Sequence, residues 1–185
     1  MRAIAQRVEV GSLAHGLALA GAVAFFAACT AAGAQVRIPL PFSPVPVTGQ
    51  TFVVLLAGAL LGRKLGPASQ VLYAGLACVV PGATAGPLHF TAGYVVGFAA
   101  AAYIVGWLVG DSRSYWRVAG AMTLGSLVIY LLGAAWLAGA SGSVSGALLQ
   151  GVLPFLPGDA VKLLLAAGIV AGGRAVAGRP RRSVP

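Results

Sequence analysis

Leu153-Pro-Phe-Leu-Pro157-Gly158-Asp159-Ala-Val-Lys162-Leu-Leu-Leu-Ala-Ala-Gly168 places an acid and a base three residues apart at the head of an apolar run. On a helix that spacing is one face, so Asp159 and Lys162 can meet each other or address one object together. Pro157 and Gly158 suit a helix start, where the first N–H groups lack intrahelical partners. Asp159 then sits where the positive end of the helix dipole favours a carboxylate. Apart from this pair, the run from Asp159 to Gly173 carries no charge. Each ionisable residue inside a membrane helix costs roughly 2.5–3.5 kcal/mol on insertion scales, so the pair needs a compensating interaction. Two readings follow: an ion pair that only pins helices together, and a polar ligand site. Intramembrane charge favours the second by default.

The rest of the chain fits a membrane setting. Of its 185 residues, 59% are hydrophobic and 8% charged, against about 25% charged in soluble domains. The fold class expected is an all-α integral membrane protein, a single six-helix membrane domain over 13–177. It is flanked by a polar segment over 1–12 and a basic tail over 178–185. The spans fall at Leu13–Gln35, Thr51–Gly62 (lengthened by Val47–Gln50), Leu65–Val80, Thr91–Gly110, Val118–Ala140, and from near Pro157 to near Val176. The first run is longer than a signal-peptide core and another follows soon after, so it reads as a retained span.

The net charge of +9 comes from short basic clusters between apolar runs, a topology signal rather than a nucleic-acid groove. Six spans put both termini on one side, with Arg2, Arg7, Arg63, Lys64, Arg113, Arg117, Arg174, Arg179, Arg181 and Arg182. The other side receives Arg37. The positive-inside rule then makes both termini cytoplasmic. The proline-rich segment between the first two spans, the 81–90 loop and the Asp159 end of the last helix face outward and can form one pocket. Pro39, Pro41, Pro44 and Pro46 forbid a helix there. Because that segment is still apolar, it is expected to lie against the membrane or fold over a cavity.

Other features are weaker. Ala24 and Ala28 form a small-xxx-small pair, as do Gly93 with Gly97 and Gly106 with Gly110. Cys29 and Cys78 read as buried inert thiols, and His89 as a loop histidine without co-ligands. The chain has no phosphate-binding GxxxxGK[ST] loop, GxSxG, HExxH or CxxC. Nucleotide hydrolysis by this chain and enzyme chemistry are therefore not expected.

Three stretches carry a family resemblance. Gln35-Val-Arg37-Ile-Pro-Leu-Pro-Phe42-Ser-Pro-Val45-Pro-Val-Thr-Gly-Gln50, continuing to Gly62, resembles the signature of the BioY family, biotin-specific substrate-binding (S) components of energy-coupling-factor transporters. Thr91-Ala-Gly-Tyr94-Val-Val-Gly-Phe98 is similar to that family's TGGY motif, and Pro157-Gly-Asp159-Ala-Val-Lys162 to its PGDxxK motif. Val95 and Val96 follow Tyr94 where some members carry a basic residue.

The resemblance implies a six-helix bundle that captures biotin from outside. It also implies a transmembrane coupling protein and two ATP-binding-cassette ATPases as partners. ATP is then used by those ATPases, and this chain binds no cofactor or metal of its own. Ala24 and Ala28 coincide with the family's contact for the coupling protein. Asp159 and Lys162 coincide with polar ligands in its biotin pocket, and Gln50 and Tyr94, in the matching motifs, are expected to bind biotin there as well. A carboxylate can accept from ureido N–H groups and an ammonium can donate to the ureido carbonyl. Phe42 and Val45 of the proline loop are the expected apolar lid contacts. A self-sufficient secondary transporter and a ligand-free structural subunit are the competing readings. The sequence shows no inverted repeat to support alternating access.

Overall fold

The computed structural model describes residues 2–177; the basic tail expected at 178–185 lies outside the described residues. The chain is helical almost throughout. α1 (Arg2–Gln35) is followed by two short strands, β1 (Arg37–Ile38) and β2 (Val47–Thr48), then α2 (Gln50–Val79), α3 (Leu88–Val109), α4 (Tyr115–Ser141), α5 (Val144–Gly151) and α6 (Leu156–Ala177). Among the described residues, five helices are long and apolar enough to cross a membrane: 13–35 of α1, then α2, α3, α4 and α6.

The second and third expected spans are the two arms of α2. Gly62 breaks the helix with φ 76° and ψ −176°, a conformation open only to glycine. The chain reverses there. Gln50 Nε2 donates to Tyr73 Oη at 2.6 Å, whereas a straight helix would separate these residues by roughly 34 Å. Glycines let the arms and their neighbour close up. Gly66 packs on Gly58, Gly58 packs on the backbone of Ala102 in α3, and Gly106 of α3 packs on the turn at Gly62 and Arg63. A side chain at any of these points would meet backbone.

α3 and α4 interlock in the same way. Gly93 faces Trp136 and the Leu132 carbonyl, and Gly97 lies against Ile129. Gly110, expected to be a packing position, instead ends α3 with φ 47°. Gly142 ends α4 in the left-handed region. The stretch between the fifth and sixth expected spans holds α5, started by Ser143 accepting from the Gly146 N–H. The 81–90 loop is shorter than expected: α3 begins at Leu88, so His89 is helical.

The proline loop is closed at its base. β1 and β2 pair antiparallel, Arg37 opposite Thr48 and Ile38 opposite Val47. Gly49 N–H donates to the carbonyls of Gly33 and Val36, both at 3.0 Å. The end of α1 is thereby held against the start of α2.

The bundle's exterior is apolar and its buried polar groups are few. Leu17, Phe25, Leu124, Leu131, Leu165 and Ile169 are exposed, while Thr30, Gln50, Ser69, Gln70 and Asp159 are buried. This is the distribution expected when lipid surrounds the helices. Cys78 is exposed on this apolar surface rather than buried; Cys29 is half-buried and both thiols are free. At one end, Arg174 of α6 ties the end of the first arm of α2 to the end of α3 and the turn after it, donating to the carbonyls of Ala59 (2.7 Å), Gly110 (2.9 Å) and Ser112 (2.7 Å). These are carbonyls near helix C-termini, where a guanidinium is favourable.

Candidate functional site

At the other end, four segments meet: the proline loop, the 81–87 loop, α5 and the start of α6. Ser43 Oγ donates to the Gln150 carbonyl at 2.7 Å, Arg37 to the Ala85 carbonyl at 3.2 Å and Gln35 to the Gly82 carbonyl at 2.7 Å. Beneath them lies a cavity of about 60 Å³. Val45, Pro46 and Val47 from the proline loop, Gln50 and Tyr73 from the two arms of α2, and Thr84–Gly86 form part of its wall. Thr91, Tyr94 and Phe98 of α3, Ile129 and Tyr130 of α4, Phe155 and Asp159 supply most of the rest. A water needs roughly 10–15 Å³ on this measure. The space is therefore that of a few waters, smaller than a bicyclic ligand, which needs the loops above it to move apart.

Asp159 is the only carboxylate on this wall and is only 7% exposed. Its backbone N–H donates to the Phe155 carbonyl in the first turn of α6. Its carboxylate accepts from Lys162 Nζ (2.7 Å) and Thr51 Oγ1 (2.9 Å) at one oxygen and from Tyr130 Oη (2.8 Å) at the other. Four lone-pair sites are available, so one remains. Lys162 Nζ also donates to the carbonyl of Thr48, in the strand that closes the proline loop, at 2.6 Å. The two side chains do meet, as the three-residue spacing implies, but the carboxylate also draws in two hydroxyls. A buried pair is tolerated only with such additional hydrogen bonds.

The remaining polar groups of the cavity are largely engaged. Gln50 donates to Tyr73 Oη, which donates to the Ala83 carbonyl at 3.3 Å. Tyr94 Oη donates to the Gly151 carbonyl at 2.7 Å, joining α3 to the end of α5. Asp159 also borders a cleft of about 290 Å³ between α4 and α6, but its rim residues Leu127 and Leu164 are exposed, so it opens sideways.

A mostly apolar cavity with a few placed polar groups is the usual form of a small-molecule site. The BioY family model matches residues 9–179. The chain belongs to the BioY family. Among proteins of this kind, it is 40% identical to a probable biotin transporter BioY of Pyrococcus horikoshii over 147 residues, 76% of this chain and 86% of that one. It is 33% identical to the biotin transporter BioY of Rhizobium etli over 168 residues, 82% and 88% of the two chains. Its fold is similar to a crystal structure of the S-component for biotin from an ECF-type ABC transporter. The TM-score is 0.77 and the identity 25%, over 90% of this chain and 94% of that one.

Within this BioY fold, the residues singled out in the sequence are only partly brought together. Val45, Gln50, Tyr94 and Asp159 share the cavity wall. Lys162 stands behind Asp159 and reaches the cavity only through it and Thr48. Phe42, expected as a lid contact, is 58% exposed and outside the cavity. The reason is local: Ser43 Oγ is fixed by the Val45 N–H (3.1 Å) and the Gln150 carbonyl, which turns Val45 inward and leaves Phe42 at the outer bend. Ala24 and Ala28 do not line the cavity and are exposed on α1.

Sequence reading missed Thr51 and Tyr130, the two hydroxyls on the carboxylate. Tyr130 offered a signal: a tyrosine in mid-span needs a hydrogen-bond partner, and Asp159 is the only carboxylate in a span. Thr51 offered none.

Proposed function

We propose that this BioY chain is the substrate-binding subunit that captures biotin at the outer face of the plasma membrane for ATP-driven import by an energy-coupling-factor transporter. It is a multi-pass transport component, not an enzyme. Its partners are a transmembrane coupling protein and two ATP-binding-cassette ATPases. The observation that carries this reading is the buried Asp159 carboxylate on the wall of an otherwise uncharged cavity, with one acceptor position left, in a chain of this family. A ureido ring offers two N–H donors and one carbonyl; the carboxylate suits the donors, and the apolar wall of Val45, Phe98, Ile129 and Phe155 suits a thiophane ring. Lys162 holds and neutralises Asp159, and Gln50 and Tyr94 shape the pocket.

The membrane arrangement that goes with this function has six crossings and cytoplasmic termini. The two antiparallel arms of α2 support six crossings. The charge distribution supports the orientation: Arg63 and Lys64 lie at the Gly62 turn, Arg113 and Arg117 beside the α3–α4 turn, and Arg174 at the same end, while Arg37 lies at the cavity end. The proline loop, 81–87 loop and α5 then face outward as a lid. Ala24 and Ala28 leave a smooth strip on the exposed side of α1, which suits close approach by a helix of the coupling protein.

The test is equilibrium titration of biotin into the purified chain, with uptake measured in cells lacking every energy-coupling module. Saturable binding with uptake only when the module is supplied is expected. Uptake without any module would make the chain a self-sufficient carrier, and absence of binding would remove the biotin reading.

A further inference from the structure

The charges at the cavity end do not balance for an acidic ligand. Asp159 and Lys162 neutralise each other at 2.7 Å, and the cavity wall carries no cation. Biotin, on the reading above, brings one more carboxylate on a flexible tail. Inside an apolar mouth that charge needs a counter-ion or open water. Among the residues whose side chains are described, 13–177, the other cations outside the Asp159 pair are at the far end: Arg63 and Lys64 at the α2 turn, Arg113 and Arg117 by the α3–α4 turn, and Arg174 on the carbonyls of Ala59, Gly110 and Ser112. Arg37 is the exception.

Arg37 is placed by three observations. It sits on β1 directly opposite Thr48, whose carbonyl takes Lys162, so Thr48 and the Lys162 ammonium link its backbone to Asp159. Its guanidinium crosses from the proline loop to the 81–87 loop and donates to the Ala85 carbonyl at 3.2 Å. It also lines an outer groove with Pro46, Ala85 and Gly86, and these three residues line the inner cavity as well. The partition between groove and cavity is therefore one residue thick. Gly86 makes it thin, because a Cβ there would stand 3.3 Å from Pro46. When this seam widens to admit a ligand larger than the cavity, the guanidinium stands at its rim with most of its five donors uncommitted.

We infer that Arg37 is the counter-ion for the ligand's carboxylate tail and sets the preference of this site for an acid over its neutral analogues. The inference rests on the biotin reading above and adds to it the orientation of the ligand: ureido ring inward at Asp159, tail outward through the Pro46–Gly86 seam. A guanidinium pairs with a carboxylate through two parallel hydrogen bonds, which a lysine ammonium cannot reproduce.

The test compares biotin with biotinamide, which keeps the rings and loses the charge. Both are titrated calorimetrically into wild type, Arg37→Lys and Arg37→Met of the full chain. Wild type should bind biotin at least tenfold more tightly than the amide. Arg37→Met should bring biotin down to the affinity of the amide, with the amide changing less than twofold. Arg37→Lys should keep part of the preference. Raising the salt concentration should narrow the preference in wild type and not in Arg37→Met. Equal binding of acid and amide by wild type, a preference that survives in Arg37→Met, or an equal loss for both ligands would each overturn the role. The last would make Arg37 only a clasp for the loop at Ala85. If wild type binds neither compound, the biotin reading itself fails; if it binds both, only the role of Arg37 is at stake.

Discussion

Replacing Asp159 by asparagine changes the charge at the centre of the site and almost nothing else. The amide oxygen can take the position that accepts from Lys162 at 2.7 Å and Thr51 at 2.9 Å. The amide nitrogen then faces Tyr130 Oη, whose hydroxyl can turn from donor to acceptor. The local network survives, so the protein should fold. Lys162 loses its counter-charge but keeps the Thr48 carbonyl, and its side chain is 21% exposed. The stability loss should therefore fall below the 3–5 kcal/mol of a broken fully buried pair, at about 1–3 kcal/mol. Binding should suffer separately. The acceptor left for a ureido N–H becomes neutral or is replaced by a donor. Losing a charge-assisted hydrogen bond costs roughly 1.5–3 kcal/mol, a Kd increase of about ten- to 150-fold. The assay is a biotin titration on the monodisperse fraction, alongside thermal unfolding of the same sample. A Kd within twofold of wild type in well-folded protein would show that Asp159 only pins helices together, and the ligand would have to be placed elsewhere.

Lys162→Met should act in the opposite proportion: it leaves a carboxylate that is 7% exposed without a counter-charge, so unfolding should fall by roughly 3 kcal/mol or more. A smaller stability loss than in Asp159→Asn would contradict that ranking. Gly62→Ala meets no neighbour but is forced to φ 76°, and should cost about 1–3 kcal/mol in thermal unfolding. Gly75→Ala, in open space within the helical second arm of α2, should instead be neutral or stabilising by up to ~1 kcal/mol. Ala24→Leu and Ala28→Leu, on the exposed side of α1, should leave biotin binding unchanged while reducing co-purification with the coupling protein; unaltered co-purification in both would remove the strip from that contact. For topology, Ser145→Cys should react with an impermeant maleimide from outside and Ser114→Cys only after the membrane is opened, both with Cys29 and Cys78 changed to serine. The reverse pattern would invert the orientation.

What the sequence determined by itself is what local chemistry and one-dimensional spacing can carry. Long apolar runs with few charges require helices in lipid, and most helix limits follow from capping glycines and prolines. α6 starts within one residue of the expected Pro157 because proline and glycine suit a helix start. The three-residue spacing was enough to put Asp159 and Lys162 in contact. The pairing of Gly33 with Gly49, of Ser43 with Gln150 and of Tyr130 with Asp159 was not legible, because each joins segments that no periodicity relates. The same holds for the reversal at Gly62: two spans were expected, but only the tertiary structure shows their arms packed through Gly58 and Gly66, so that Gln50 reaches Tyr73. It also decided which proline-loop side chain turns inward. Phe42 has the greater apolar area and would gain more from burial, yet the hydrogen bonds of Ser43 direct Val45 into the cavity. Composition ranks side chains by what burial is worth to them; here the directions in which they point are set by the Ser43 hydroxyl, bonded to Val45 within the loop and to the distant Gln150 carbonyl.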